Sequence, residues 1–308
     1  MTAVSEAPSV PSGSLGRARR KAARRRFYRA FMAQRAGVAG VVVLLVIAAL
    51  ALLAPVLFSS DGLDVTKATG GVLKPPSASF PLGTDESGRS VLALVVWGAR
   101  ISLVVGIAAT VISIVLGSLV GIASGHYTNL FGAFLERLTD WFLVIPFLPL
   151  AIVVSTLLPW QSIFNIILVI GVTSWPATAR LVRAQTLSIE GRPYLERARV
   201  LGGGNWHQIT KHVLPNVTPL ILANTTLTVA VAILSETTLT FLGLGGFAPK
   251  DVSWGTMLEN AFQSGAITTG AWWYLLPPGA CVVIVVLSFT LVGRALEAIV
   301  DPHLSTAA

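Results

Sequence analysis

Long apolar runs alternate with shorter polar segments along the whole chain. Six of these runs reach the ~20 residues that an α-helix needs to cross a bilayer. Charged side chains are nearly absent within them, so each run suits lipid better than water. The pattern predicts an all-α, polytopic membrane protein with about six transmembrane helices. We place the spans near residues 37–57, 99–124, 138–158, 162–180, 217–242 and 276–296.

The composition also indicates a membrane protein, and the basic residues are concentrated in one place. Of the 308 residues, 54% are hydrophobic and only 12% are charged, whereas soluble domains carry about 25% charged residues. The net charge is +8, and nine of the 22 basic residues lie between Arg17 and Arg35, directly before the first span. A basic cluster in that position is a cytoplasmic topogenic signal that also meets anionic lipid. We therefore expect membrane lipid, and no nucleic acid, as its partner.

The same features divide the chain into three regions. Residues 1–35 are predicted to form a disordered and basic cytoplasmic tail, in which 17–35 suit a helix on the inner membrane surface. Residues 36–303 form the transmembrane domain, and residues 304–308 are a short tail.

Basic residues also predict the orientation. With the amino terminus inside, 17 basic residues fall on the cytoplasmic side and 5 on the outer side. This excess predicts that both termini are cytoplasmic. Roughly residues 58–98 and 243–274 are then outer segments. Tryptophans fall at the outer span ends, where their rings settle at headgroup level: Trp97, Trp160, Trp272 and Trp273.

Residues for catalysis or cofactor binding are missing from the sequence. It has no G-x-x-x-x-G-K-[ST] phosphate loop, and neither its only cysteine, Cys281, nor its four histidines have metal-ligand spacing. We predict no catalytic, cofactor-binding or metal site, and a role as a passage or a scaffold.

Two polar or small-residue stripes mark the spans. Small residues four apart on the second span predict close packing of another helix backbone: Ala109, Ser113, Gly117, Gly121 and Gly125. On the fifth span, Asn224, Thr228 and Glu236 form a polar stripe at helical spacing. Because polar groups inside a membrane face a bundle interior or a watery cavity, this stripe either lines a pathway or makes interhelical hydrogen bonds.

The third span carries an acid and two prolines. Asp140 follows Arg137 by three residues, which favours an ion pair on the helix surface. Pro146 and Pro149 are expected to bend this span, since each removes a helical hydrogen bond.

The cytoplasmic segment of about 190–216 is the most informative part of the chain. Residues 194–201 favour a helix, Gly202 to Gly204 break it, and a second short helix runs toward Pro215, which starts the next span. A helix–glycine–helix unit outside the bilayer is a rigid projection that suits docking into another protein.

These residues resemble a family. Glu196-x-Ala198-x-x-x-Gly202 followed by Leu214-Pro215 is similar to the signature of ATP-binding-cassette importer permeases, and the chain resembles the C-type permease of the dipeptide, oligopeptide and nickel uptake group. Further motifs match that group along nearly the whole chain: Pro81-Leu82-Gly83-Thr84-Asp85, Gly98-Ala99-Arg100, Ser174-Trp175-Pro176, Phe241-Leu242-Gly243-Leu244-Gly245, Ser253-Trp254-Gly255 and Asp301-Pro302. Arg197, in place of the usual middle alanine, departs from the signature.

The resemblance implies a type I importer permease in a bacterial inner membrane. Its expected partners are a second homologous permease subunit in a heterodimer, two ATP-binding subunits and an extracytoplasmic solute-binding protein. The expected substrate is a short peptide, with nickel chelates or glutathione as the alternative. An ATP-independent secondary transporter would show buried charges or an inverted repeat, and the sequence shows neither. The residues that the resemblance assigns to ATPase docking are Leu195, Glu196, Ala198, Leu201, Gly202, Leu214 and Pro215.

Overall fold

The computed structural model describes residues 22, 25–158, 162–245 and 251–300. The disorder expected for residues 1–16, Trp160, the motif at Asp301 and the tail 304–308 lie outside the described residues. The all-α prediction is confirmed, and residues 25–33 are helical (α1), within the stretch 17–35 for which the sequence favoured a helix. The α-helices that follow it are α2 (Arg35–Leu57), α3 (Val91–His126), α4 (Leu130–Val144), α5 (Phe147–Leu157), α6 (Ile163–Glu190), α7 (Pro193–Val200), α8 (Asn205–Gln208), α9 (Leu214–Leu239), α10 (Trp254–Gln263) and α11 (Trp272–Val300).

The number of spans agrees with the prediction. Within the described ranges, five helices are long and apolar enough to cross a membrane, and a bent pair supplies the sixth if it counts as one span. The bundle has two ends, which we name after the helices they contain. The α7 end contains α7 and the carboxyl end of α6, and the α10 end contains α10 and the amino end of α3.

The third span is not the single helix that the sequence predicted near 138–158. α4 and α5 meet at an angle of 99°, with Pro146 in an extended conformation between them. The bend expected from proline is confirmed at this residue, because a proline cannot donate the hydrogen bond that would continue α4. Pro149 lies in the first turn of α5, where no intrahelical donor is needed, so it does not break that helix.

The small-residue stripe of α3 packs against α6, as predicted. A Cβ added at Gly117 would lie 2.7 Å from the carbonyl oxygen of Trp175, and one at Gly121 would lie 2.6 Å from that of Ala179. Both are closer than real Cβ contacts allow, so glycine is what permits the two backbones to approach. α3 and α6 form the central pair around which α9, α2 and α11 pack.

The fifth span begins earlier than the sequence indicated. The helix runs from Asn205 to Leu244, with a break only near its end at Gly243, whose φ is +81°, so Pro215 does not start it. A π-turn over Ile209–Val213 precedes α9. Pro215 has no N–H and its ring crowds the preceding turn; the wider π-turn relieves this crowding and lets the helix pass the proline.

The segment before α3 folds into a cap at the α10 end. Arg89 and Asp85 form a buried ion pair at 2.6 Å, and Arg89 also donates to the carbonyl oxygen of Leu63 at 3.2 Å. α3 then starts at Val91 with Ser90 as its N-cap, eight residues before the predicted position of 99. The cap contacts α11, because Trp273 donates to the carbonyl oxygen of Thr84 at 3.4 Å.

Candidate functional site

The projection predicted from the sequence is a short helix closed by glycine. α7 covers Pro193–Val200, with proline in its first turn. At its end, Gly203 N–H donates to the carbonyl oxygen of Ala198 at 2.8 Å and Gly202 N–H donates to that of Arg199 at 2.9 Å. Gly202 has a φ of +82°. This is the hydrogen-bond pattern of a Schellman cap, so the helix and the glycine break at Gly202 are confirmed.

Leu195 anchors α7 to the bundle and does not belong to its outer surface. Its side chain is 0% exposed and lies in an apolar cluster that joins four elements. Docking by Leu195 was expected from the resemblance, but a partner could reach it only by unpacking this cluster. The other buried members of the cluster are Ile122, Val182, Ile189, Val213 and Val217.

The tip of the projection exposes large apolar side chains. Val200, Leu201 and Trp206 are 83%, 86% and 79% exposed, and Glu196 is exposed on the same helix. We call these four residues the α7 tip. Val200 and Trp206 were not among the expected docking residues. The signal that could have identified them is their apolar character in a polar segment.

The remaining expected docking residues are not at the α7 tip. Ala198 is half-buried, and its carbonyl oxygen closes the glycine cap. Leu214 and Pro215 follow the π-turn. Pro215 lies nine positions after Trp206 along the helix, which corresponds to ~13 Å. Pro215 instead lines a groove with Phe27 and Leu296.

The polar stripe of the fifth span divides into two environments. Asn224 and Thr228 line an open cavity of about 190 Å³ together with hydroxyl groups of α3 and α6. Asn224 donates to the hydroxyl of Thr178 at 3.2 Å. The Ser113 hydroxyl, also in the wall, has no hydrogen-bond partner among the described residues. These groups form a neutral, hydrogen-bonding surface between the helices.

Glu236 lies elsewhere and is fully buried. Ser102 of α3 donates to its Oε2 atom at 3.0 Å, and the hydroxyl of Ser102 in turn accepts from the backbone N–H of Trp254 at 3.3 Å. Glu236 therefore joins α9, α3 and the start of α10. Of the two alternatives left open by the sequence, this geometry matches interhelical hydrogen bonding for Glu236.

The expected ion pair between Arg137 and Asp140 is wrong. Asp140 instead pairs with Arg180 of α6 at 2.8 Å, and Glu136 pairs with Arg183 of α6 at 2.8 Å. Both pairs cross from α4 to α6, so they link α4 to the central pair of helices.

Comparison with known proteins agrees with this arrangement. Residues 113–306 match the model of the family described as binding-protein-dependent transport system inner membrane component. The chain belongs to this family. Residues 23–76 also match the N-terminal transmembrane domain of oligopeptide transport permease C, so the predicted C-type resemblance is confirmed.

Named relatives support the same assignment. The di/tripeptide transport system permease protein DppC of Pseudomonas aeruginosa is 37% identical over 243 residues, which is 77% of this chain and 78% of that protein. The oligopeptide transport system permease protein OppC of Bacillus subtilis is 35% identical over 231 residues, 75% of this chain and 74% of the relative. The probable D,D-dipeptide transport system permease protein DdpC of Escherichia coli is 34% identical over 230 residues, 75% and 76% of the two chains.

Family membership and the apolar helices together define the class of the molecule. It is a multi-pass membrane protein of the bacterial inner membrane and a permease subunit of a transport system. The family implies ATP-binding and substrate-binding partner proteins in general terms.

Proposed function

We propose that this chain is the transmembrane permease subunit of an ATP-driven importer and forms half of the translocation pathway for short peptides. ATP is hydrolysed by separate subunits. The observation that carries the proposal is the α7 tip, a rigid, apolar projection on a chain that has no phosphate loop of its own. The relatives named as dipeptide and oligopeptide permeases support peptide as the substrate.

The proposed orientation has the α7 end in the cytoplasm. Basic residues concentrate there, with Arg192, Arg197, Arg199 and Lys211 in and around α7 and α8, and cytoplasmic segments are enriched in Lys and Arg. A cysteine placed at Ser59 is expected to react with an impermeant thiol reagent from outside, while one placed at Gly204 is not. The reverse pattern would contradict this orientation.

The α7 tip is the proposed docking surface for an ATP-binding subunit. Val200, Leu201 and Trp206 present apolar area outside the bundle, and exposed apolar patches of this kind mark protein interaction sites. Glu196 adds a charge that suits a basic or hydrogen-bonding group on the partner. Gly202 then lets the chain turn directly after the contact.

A second, homologous permease subunit is the proposed partner within the membrane. The cavity beside Asn224 and Thr228 is open on one side, and Val231 at its edge is 58% exposed. A second subunit facing this side would close a passage lined by hydroxyl and amide groups together with aliphatic side chains. Such groups hydrogen-bond peptide backbones of any sequence, so selection among peptides belongs mainly to the solute-binding protein.

Uptake of labelled peptides tests the substrate. A strain that lacks this gene and carries no redundant importer is expected to lose uptake of labelled di- and tripeptides, and the wild-type gene is expected to restore it. Unchanged peptide uptake, with loss of nickel-chelate or glutathione uptake instead, would contradict peptide import and favour the alternative substrates.

A further inference from the structure

A hydrogen-bonded chain of polar side chains holds α7 from the bundle side. Glu190, the last residue of α6, is at its centre. Its Oε1 atom lies 2.5 Å from Nδ1 of His126, and its Oε2 atom accepts from the guanidinium of Arg199. Each carboxylate oxygen therefore has one partner, and the two partners come from different helices.

Arg199 extends the chain beyond α7. Its Nε–H donates to Oε1 of Gln208 at 3.1 Å. The side-chain amide of Gln208 donates to the carbonyl oxygen of Gly203 at 2.6 Å, in the loop that follows the glycine cap. We call His126, Glu190, Arg199 and Gln208 the Glu190 network.

The network is shielded from water at its bundle side. The side chains of His126 and Glu190 are 3% and 12% exposed and Gln208 is buried, whereas the side chain of Arg199, on the outer side, is 47% exposed. Hydrogen bonds to ionised groups are stronger than neutral ones, and a buried polar network that is fully paired makes its surroundings rigid. The four members therefore fix the relative positions of four elements: the end of α3, the end of α6, α7 and α8.

The network and the apolar cluster hold different parts of α7. Leu195 anchors the first turn, whereas Arg199 lies four residues later, ~6 Å along the helix. Without the network, the side-chain contacts that hold α7 lie in its first turn, at Leu195 and at Tyr194, whose ring packs against His212. The second attachment, at Arg199, holds the turn that leads directly into the α7 tip.

We infer that Glu190 is a positioning residue that makes α7 a stiff lever, so that movement of the α7 tip reaches α3, α6 and the helix that starts at Asn205 together. This inference rests on the proposed function, because it assigns the α7 tip as the place where an ATP-binding subunit applies force. Glu190 itself contacts neither ATP nor peptide. Its role is to prevent α7 from moving independently of the spans.

Three substitutions, Glu190→Gln, Arg199→Gln and His126→Leu, test the inference, and two others serve as matched controls. Glu190→Gln keeps the shape of the side chain but removes its negative charge, so the hydrogen bonds to His126 and Arg199 lose the strength that an ionised acceptor gives them. Arg199→Gln removes the charge from the other side. Arg197→Gln removes the same charge from an exposed position of the same helix, and serves as the control. His126→Asn keeps an N–H donor near the position of Nδ1, whereas His126→Leu does not.

Two measurements on the purified complex in nanodiscs give the readouts. Amide hydrogen exchange over residues 193–203 is expected to rise for Glu190→Gln, Arg199→Gln and His126→Leu, and to stay at the wild-type level for Arg197→Gln and His126→Asn. The peptide imported per ATP hydrolysed is expected to fall at least about fivefold in the first group, while the ATP-binding subunits still copurify.

The two measurements separate this inference from the proposed function. Exchange over residues 193–203 reports on the position of α7 whether or not the substrate is a peptide, so a wild-type complex that imports no peptide would contradict the proposed function alone. Exchange and coupling in Glu190→Gln and Arg199→Gln equal to those in Arg197→Gln would overturn the inference. So would a double variant, Glu190→Gln with Arg199→Gln, whose losses equal the sum of the two single losses, because members of one network are not additive.

Discussion

At the scale of single residues, Gly202 and Gly204 show whether glycine is required for its backbone conformation or for the lack of space for a side chain. An added Cβ would meet no atom of the described residues within 4 Å at either position. Gly202 has a φ of +82°, however, whereas Gly204 has a φ of −66° that any residue adopts. The requirement for glycine at Gly202 therefore comes from the left-handed turn that ends α7.

We expect Gly202→Ala to distort the end of α7 at a cost of ~1 kcal/mol, and Gly204→Ala to be neutral. The Gly202 variant should reach the membrane at the normal level but retain less of the ATP-binding subunits on copurification. Equal retention by the two variants would show that the turn at Gly202 does not shape the docking surface.

Substitutions of Glu236 and Thr228 are expected to have different effects, on complex yield and on transport respectively, although both residues lie on one predicted stripe. Glu236→Ala removes the acceptor of the buried Ser102 hydroxyl, and an unsatisfied buried group costs about 1–3 kcal/mol. We therefore expect lower complex yield and a lower melting temperature in detergent. Thr228→Val keeps the volume and removes a hydroxyl from the cavity wall, so transport should change while yield does not. A normal yield for Glu236→Ala combined with altered transport would instead assign Glu236 to the pathway.

At the scale of elements, features set by neighbouring residues in the sequence were predictable, whereas contacts between residues far apart in the sequence were not. Apolar runs identified the spans, and glycine and proline identified the end of α7 and the break at Pro146. The expected pairing of Arg137 with Asp140 failed because Arg180, the true partner of Asp140, lies 40 residues away on another helix. Burial of Leu195 and the Glu190 network depend in the same way on packing between helices that no local pattern contains.

The contact between α3 and α6 gives a prediction for one element pair. In Gly121→Ala the new methyl group would lie 2.6 Å from the carbonyl oxygen of Ala179, whereas in Gly279→Ala it would meet no described atom within 4 Å. Overpacking of this kind costs about 1–3 kcal/mol. We expect a lower melting temperature for Gly121→Ala and no change for Gly279→Ala. Equal melting temperatures would contradict close packing of α3 on α6.

At the scale of the whole molecule, one continuous helix connects the two ends of the bundle. The helix from Asn205 to Leu244 contributes Trp206 to the α7 tip, passes the cavity at Asn224 and Thr228, and reaches Glu236 beside the start of α10. α6 runs in the opposite direction and ends at Glu190, three residues before α7 begins. A displacement of α7 is therefore applied directly to two spans at once, and both contribute to the walls of the cavity.

Copurification of ATP-binding subunits with a Leu201→Asp variant tests the central claim most directly. Leu201 is 86% exposed, so an aspartate there leaves the packing of the bundle intact and places a charge in the proposed contact. The account predicts that the variant inserts into the membrane at the wild-type level and loses the ATP-binding subunits that the wild-type chain retains. Retention of those subunits at the wild-type level by Leu201→Asp would contradict docking through the α7 tip.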